Sequence, residues 1–254
     1  MKMLRTLFAT FTVLSTLAAV AQMRPRTPAP WTLGVRMGAG MGHRTLTATD
    51  LNPVTQFAYT LREQRETPRF AHSTTITFAH MMGKYIGFEG GIGYTRMGWK
   101  YTLPYDQLVL GDVIDPRTGF IYVTDGKIPT EVTFHDIYHY LEIPLALTFT
   151  LGKGKLKWVS AAGIAPAFML TARGATQYDY SDGTDERTRY EQTTDYNTFN
   201  WFSFFSTGLS LKRNDRVEFR LQPTGRYGLL PIVDGPITAN VWNVTLDLGV
   251  RIRL

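Results

Sequence analysis

Five histidines, a set of strand-borne charges and one acidic loop are where this chain could do chemistry. The histidines are His43, His72, His80, His135 and His139, and cysteine is absent. That absence excludes a thiolate nucleophile, a thiolate metal site and a disulfide scaffold. It also excludes a lipid anchor on an N-terminal cysteine. A hydrolytic triad needs a base and a hydroxyl within about 3 Å of each other, with a carboxylate orienting the base. His72 and Ser73 are adjacent, so in a strand they point to opposite faces. His135 and His139 share a face with Ile137 and Leu141, with Thr133 nearby and no matching serine. Their spacing is too wide for a shared metal without further ligands. The loop at 177–196 carries Asp179, Asp182 and Asp185 around Gly183, but it lacks the ordered spacing and closing glutamate of an EF-hand. It reads as a solvated, tyrosine-rich surface loop suited to protein or glycan contact.

The remaining charges form a different pattern. Arg36, Glu89, Glu142, Glu218, Arg220, Asp247 and Arg251 each fall on the polar side of an alternating run. Both signs occur, so on one face they can neutralise one another. Unpaired charges held away from water would be costly, so pairing is expected. A polar relay or small-ion path is the functional reading. A salt-bridged plug that stiffens its surroundings is the simpler one, and it is preferred here.

The elements that must position these residues read in period two. Trp31, Leu33, Val35, Met37, Ala39 and Met41 alternate with small or polar residues. Further strands are expected at about 70–82, 85–101, 130–151, 156–172, 197–212, 216–227 and 240–254. In the last, Val244, Leu246, Leu248, Val250, Ile252 and Leu254 oppose Thr245, Asp247, Gly249, Arg251 and Arg253. A bulge or bend is expected near the AAGIAP segment of the fifth strand. Short turns fall at 83–84, 152–155 and 213–215. Long links fall at about 43–69, 102–129, 173–196 and 228–239, and DPRTG at 115–119 suggests an extra hairpin within the second. No helical periodicity stands out.

Short turns at one end and long loops at the other is the asymmetry of an outer-membrane barrel, and an even strand count places both termini at the short-turn end. The terminal hydrophobe on an alternating last strand fits the same architecture. Aromatics near strand ends, Trp31, Trp99, Tyr101, Trp158, Trp201 and Trp242, are expected to form interfacial girdles. Closure removes edges that lipid could not satisfy. About eight strands leave an interior only wide enough for side chains, so a free aqueous pore is not expected.

Composition agrees. Of 254 residues 44% are hydrophobic, 13% aromatic and 19% charged, which suits a β-rich chain with a partly lipid-facing surface. Lys2 and Arg5 precede an uncharged stretch from Leu7 to Val20, and Ala19-Val20-Ala21 supplies small residues for a peptidase. A signal peptide cleaved before Gln22 is expected, because the apolar stretch is short for a membrane span. Its removal lowers the formal charge of +6 to +4. That modest excess suits contact with anionic lipopolysaccharide. No dense Lys/Arg run or RNA-type aromatic motif is present, so nucleic acid is excluded as a partner.

The segment YLEIPLALTFTLGKGKLKWVSAAGIAPAFML, residues 140–170, resembles the PorT-like outer-membrane β-barrel family of Bacteroidota. It carries Leu-Glu-Ile-Pro on one strand, a basic glycine turn, and Ala-Gly then Pro on the returning strand. A signal peptide ending Ala-Gln is also usual there. The resemblance implies a fold shared over the mature chain and no particular chemistry. A few members serve export machinery for virulence proteins, and no residue here places the chain among them.

The expected protein is all-β: an eight-stranded antiparallel up-and-down transmembrane barrel over 31–254, preceded by a cleaved signal peptide (1–21) and a proline-rich linker (22–30). It is expected to be monomeric, non-enzymatic and without a cofactor. It would act through exposed loops or in envelope assembly, with outer-membrane lipid, lipopolysaccharide and envelope or secretion proteins as its partners. The alternatives are an accessory of a secretion system and a lipid A-modifying barrel enzyme.

Overall fold

The alternating runs close on themselves. The computed structural model describes residues 31–50, 52–83, 85–104, 112–114, 121–123, 129–191 and 196–254. The expected signal peptide, the linker and the DPRTG turn lie outside the described residues. The wall comprises β1 (Trp31–Ala48), β2 (Glu66–Met81), β3 (Ile86–Pro104), β6 (Pro129–Glu142) continuing as β7 (Leu145–Leu151), β8 (Leu156–Tyr180), β10 (Phe199–Lys212), β11 (Val217–Gly228) and β12 (Ile237–Arg253). With β6 and β7 as one interrupted strand, these form a ring of eight. Each pairs antiparallel with its neighbours, and β1 closes on β12 from Thr32↔Arg253 to Ala48↔Ile237. Two short strands, β4 (Asp112–Ile114) and β5 (Ile121–Val123), pair as a separate hairpin inside the second long link. β9 (Asp185–Glu191) folds back along β8.

Local chemistry sets the breaks. Pro144 has no N–H to give a ladder, and it separates β6 from β7. Its carbonyl accepts from Gly91 N–H at 3.1 Å, and Ile143 N–H reaches Pro166 O at 3.0 Å, so the ring stays closed across the gap. The turn after β7 uses Gly152 at φ 114° and Gly154 at φ 94°, where a side chain would be strained. After β10, Asn214 Oδ1 accepts from the N–H groups of Arg216 (3.0 Å) and Val217 (2.7 Å), an Asx turn that starts β11. Register shifts lie between Pro68 and His72 in β2, and at His139/Tyr140 opposite the middle of β8.

Four expectations need correction. The AAGIAP segment pairs with β7 and β10 in unbroken register, and the irregularity falls instead between Met169 and Thr171. The third long link is largely strand, because β8 runs to Tyr180 and β9 pairs back on it. The first long link is not plain loop. It carries α1 (Pro53–Arg65), with Asn52 capping Val54 N–H at 3.0 Å, proline in the first turn and Arg62 and Arg65 in the last. No residue of α1 is fully buried, but Val54, Phe57, Ala58 and Leu61 recur at i, i+3, i+4 and i+7, a short helical stripe whose Leu61 packs against the core. Trp99 and Tyr101 are not interfacial. They are 1% and 0% exposed and face inward with Glu89, as their odd-numbered parity on β3 requires. Trp31, Trp158 and Trp201 do stand on the outer face, exposed.

Burial is inverted relative to a water-soluble sandwich. Ile76, Ile92 and Leu248 are 58%, 61% and 64% exposed, while Arg36, Glu89, Asp247 and Thr245 are buried. Such a wall is stable only where hydrocarbon covers the outside. The outward apolar runs end, at the long-link end, near Met41, Phe70, Tyr94, Leu141, Leu170, Trp201, Tyr227 and Trp242. Below these the strands cross the membrane. Above them the wall continues, most of all on β3, β6, β8 and β9.

Candidate functional site

The interior of the membrane-spanning part is filled by charge. β1 brings Arg36, β3 Glu89, β6 Glu142, β11 Glu218, Arg220 and Arg226, and β12 Asp247 and Arg251. All seven charges read from the sequence lie on this inner face, and Arg226 joins them. Glu89 is the hub of the lower half: Arg251 pairs with it directly, and Arg36 and Arg220 approach at 3.6 and 3.7 Å. Arg220 also holds Glu218 at 2.5 Å. Arg36 bridges upward to Asp247 at 3.5 Å. Arg226 lies between Asp247 (3.7 Å) and Glu142 (3.8 Å). Asp247 further accepts from Thr224 Oγ1 (2.8 Å) and Thr245 Oγ1 (2.7 Å). Four guanidinium groups face four carboxylates, so this cluster is neutral overall.

The close fit has a local cause. A Cβ placed on Gly38 would stand 2.0 Å from Asp247 Oδ1 and 2.7 Å from Ser73 Oγ. Glycine at this position of β1 lets the carboxylate lie against the neighbouring backbone.

A second buried assembly caps the first and has no counterpart in the sequence reading. Arg44 of β1 forms a two-pronged bridge to Glu66 at the start of β2, with Nε to Oε2 at 2.8 Å and Nη2 to Oε1 shorter still. Its guanidinium carbon lies 3.6 Å from the centre of the Trp99 ring. Trp99 Nε1 donates to Tyr138 Oη at 3.0 Å, and Tyr138 and Tyr196 hydroxyls donate to Asp136 Oδ2 at 3.5 and 3.2 Å. Burial alone would lower the Arg44 pKa, but the Glu66 carboxylate outweighs it and holds the guanidinium above its ordinary value. Burial, with Tyr196 and Asp136 adding to it, pushes the Tyr138 hydroxyl well up.

The histidines stand apart from these networks. His72 faces outward and Ser73 inward, as their adjacency requires. His80 stacks on Trp31, with centroids 4.3 Å apart, and His43 meets Trp242 edge-on at 5.7 Å. Tyr94 Oη and His139 Nδ1 share a hydrogen bond of 2.5 Å on the outer face. Among the described residues no histidine is hydrogen-bonded to a carboxylate, and no three acidic or histidine side chains converge as a metal site requires. In the acidic loop, Asp182 Oδ1 is engaged by Thr184 N–H (2.9 Å) and Thr184 Oγ1 (2.5 Å).

Comparison with known proteins gives distant structural likenesses and one family. The chain aligns over most of its length with the surface protein A of Neisseria: 12% identity, 90% of this chain and 100% of that one, TM-score 0.41. The outer membrane protein OprG of Pseudomonas aeruginosa gives 9% identity, 89% and 98% coverage and a TM-score of 0.42. The N-terminal β-barrel domain of OprF from the same organism gives 11%, 89% and 99%, and 0.38. No curated protein matches the chain in sequence. The sequence profile named outer membrane protein beta-barrel domain matches residues 20–233, which is most of the wall. The chain therefore belongs to the outer membrane protein beta-barrel domain family and resides in the outer membrane.

Proposed function

We propose that this barrel is a non-enzymatic outer-membrane protein whose lumen is a structural plug and whose working surface is the wall and hairpins above the membrane. The observation that carries the reading is the Glu89–Arg36–Asp247–Arg226–Glu142 chain of ion pairs across the bore, which Arg220, Arg251 and Glu218 bring to charge balance. Buried ion pairs of opposite sign stiffen a core, and in a barrel of eight strands side chains of this size fill the interior. The sequence then invests in the outer end, where β8 runs to Tyr180 and β9 returns beside it. Tyrosine-rich edges of this kind suit contact with another envelope component.

The test has two arms. In planar bilayers the wild-type barrel should show no stable conductance, whereas steady single-channel currents would overturn the plug. In cells, replacing 181–191 by a short turn should leave the barrel assembled yet reproduce the phenotype of the full deletion. Complete complementation by that variant, or release of fatty acid from lipid A by the purified protein, would overturn the reading.

A further inference from the structure

The outer wall just above the hydrocarbon carries a cluster of cations that the plugged lumen does not explain. Cross-strand register sets it. On the outward face Arg96 of β3 pairs with His139 of β6, and Lys100 pairs with His135. β8 adds Arg173 opposite Ile137, and β9 adds Arg189 opposite Ala175 and Arg187 opposite Gln177. β2 contributes Arg69 through its bulge. Glu66 is buried before the bulge and Ala71 and Ser73 after it, so the inward parity switches and Arg69 and Phe70 fall together on the outside. Arg96 and Arg187 are among the charges nearest to Arg69.

The surface is recessed on the β6, β8 and β9 side of this cluster, beginning at His135, the register partner of Lys100. A cavity of about 370 Å³ is lined by His135, Ile137, Arg173, Ala175, Arg187 and Arg189, among others. Small and apolar floor residues with a cationic rim make a seat for a bulky anion. Its charge is poorly compensated from within. Glu191 is engaged by Arg173 at 2.6 Å. Among the described residues no ion pair reaches Arg69, Arg96, Lys100, Arg187 or Arg189. Arg69 Nη1 and His135 Nδ1 are buried without a hydrogen-bond partner. Burial, with Arg69, Arg187 and Lys100 close by, pulls the His135 pKa down to about 4.

Position identifies the occupant. The apolar run on these strands ends at Phe70, Tyr94, Leu141 and Leu170, and Arg96, His139 and Arg173 are the next charged or titratable side chains above it on the outer face. A lipid whose tails cover Leu141 and Ile143 must place its head group against this cluster. The geometry points to a binding site for the phosphate-bearing sugar head group of an outer-leaflet glycolipid, held by Arg69, Arg96, Lys100, Arg187 and Arg189. Arginine forks match phosphate oxygens, and basic recesses between membrane-spanning elements are a recurrent way to retain anionic lipids.

The experiment measures lipid retention by the full barrel in phosphatidylcholine nanodiscs, using diphosphorylated lipid A and its dephosphorylated form as probes. The phosphorylated form should bind about tenfold or more tighter. The triple variant Lys100→Gln, Arg187→Gln, Arg189→Gln, whose side chains are all exposed, should abolish that preference. The control Lys155→Gln, Lys212→Gln, Arg213→Gln at the short-turn end should keep it. Arg189→Gln alone, read in the same way, covers the case in which the triple variant does not fold. Equal retention of both lipids, or an unaffected variant, overturns the site. Inorganic phosphate or a soluble sulfated oligosaccharide binding as tightly as lipid A would overturn the lipid assignment. The lumen plug and the hairpin role stand or fall separately, because neither conductance nor complementation by the 181–191 variant depends on this lipid.

Discussion

Asp247 occupies the space that a side chain on Gly38 would need: its Oδ1 lies 2.0 Å from where a Cβ on residue 38 would stand. The two sit opposite each other in the β1–β12 register. Gly38→Ala must therefore push Asp247 out of its contacts with Arg36, Thr224 and Thr245. Overpacking of this kind costs about 1–3 kcal/mol. Urea unfolding in detergent should show that loss, and Gly83→Ala, with nothing within 4 Å, should show none.

Arg226 is the shared partner of Glu142 and Asp247, and all three side chains are buried. Arg226→Gln leaves two carboxylates facing one another with less positive charge between them. A loss of about 3–5 kcal/mol is expected, the cost of leaving buried charge uncompensated. Adding Asp247→Asn should recover part of it. A double-mutant cycle by denaturant unfolding checks the coupling, and strict additivity would mean that the two do not interact.

The upper assembly should fail separately. Arg44→Ala removes the partner of Glu66 and the cation over Trp99. The expected result is faster hydrogen exchange and protease nicking around 44–66 and 99–101, with the spanning segments still protected. Uniform loss of protection along β1 would show that both networks form one cooperative unit.

His135 gives a signed pH dependence. Its pKa in the folded wall is pulled down to about 4 by burial and by Arg69, Arg187 and Lys100. In the unfolded chain it is about 6.5. Below that value the unfolded state takes up the proton first, so stability falls as pH drops from about 6.5 toward 4 and then levels off. His135→Gln should lack this part of the pH dependence. Titration of the imidazole by NMR checks the premise, and a midpoint near 6.5 would contradict it.

Much of the architecture was legible because lipid-facing barrels enforce strict parity. Arg36, Glu89, Glu142, Glu218, Arg220, Asp247 and Arg251 share an inner face for the same reason that Ile76 and Leu248 share the outer one. Arg226 escaped notice because Pro223 and Gly225 interrupt the apolar side of β11, and the alternation fades there before the strand ends. Arg44 and Glu66 are hidden because α1 stands between them in the chain, so their pairing across the long link leaves no local spacing to read. Trp99 and Tyr101 were placed by residue type, as girdle aromatics, when their parity already pointed inward. The cationic outer cluster depends on β9 folding back over β8, and on a bulge in β2. Neither the fold-back nor the bulge leaves a periodic signal.

The central claim is that the apolar stripe faces hydrocarbon and the charged stripe faces the bore. Because the chain has no cysteine, spin labels can be placed singly at Thr75→Cys, Ile76→Cys, Thr245→Cys and Leu248→Cys, in the barrel reconstituted into lipid. Collision rates with dissolved oxygen, which concentrates in hydrocarbon, should be high at 76 and 248 and low at 75 and 245. Equal rates at 75 and 76, or a preference of 248 for a water-soluble relaxant, would contradict the account.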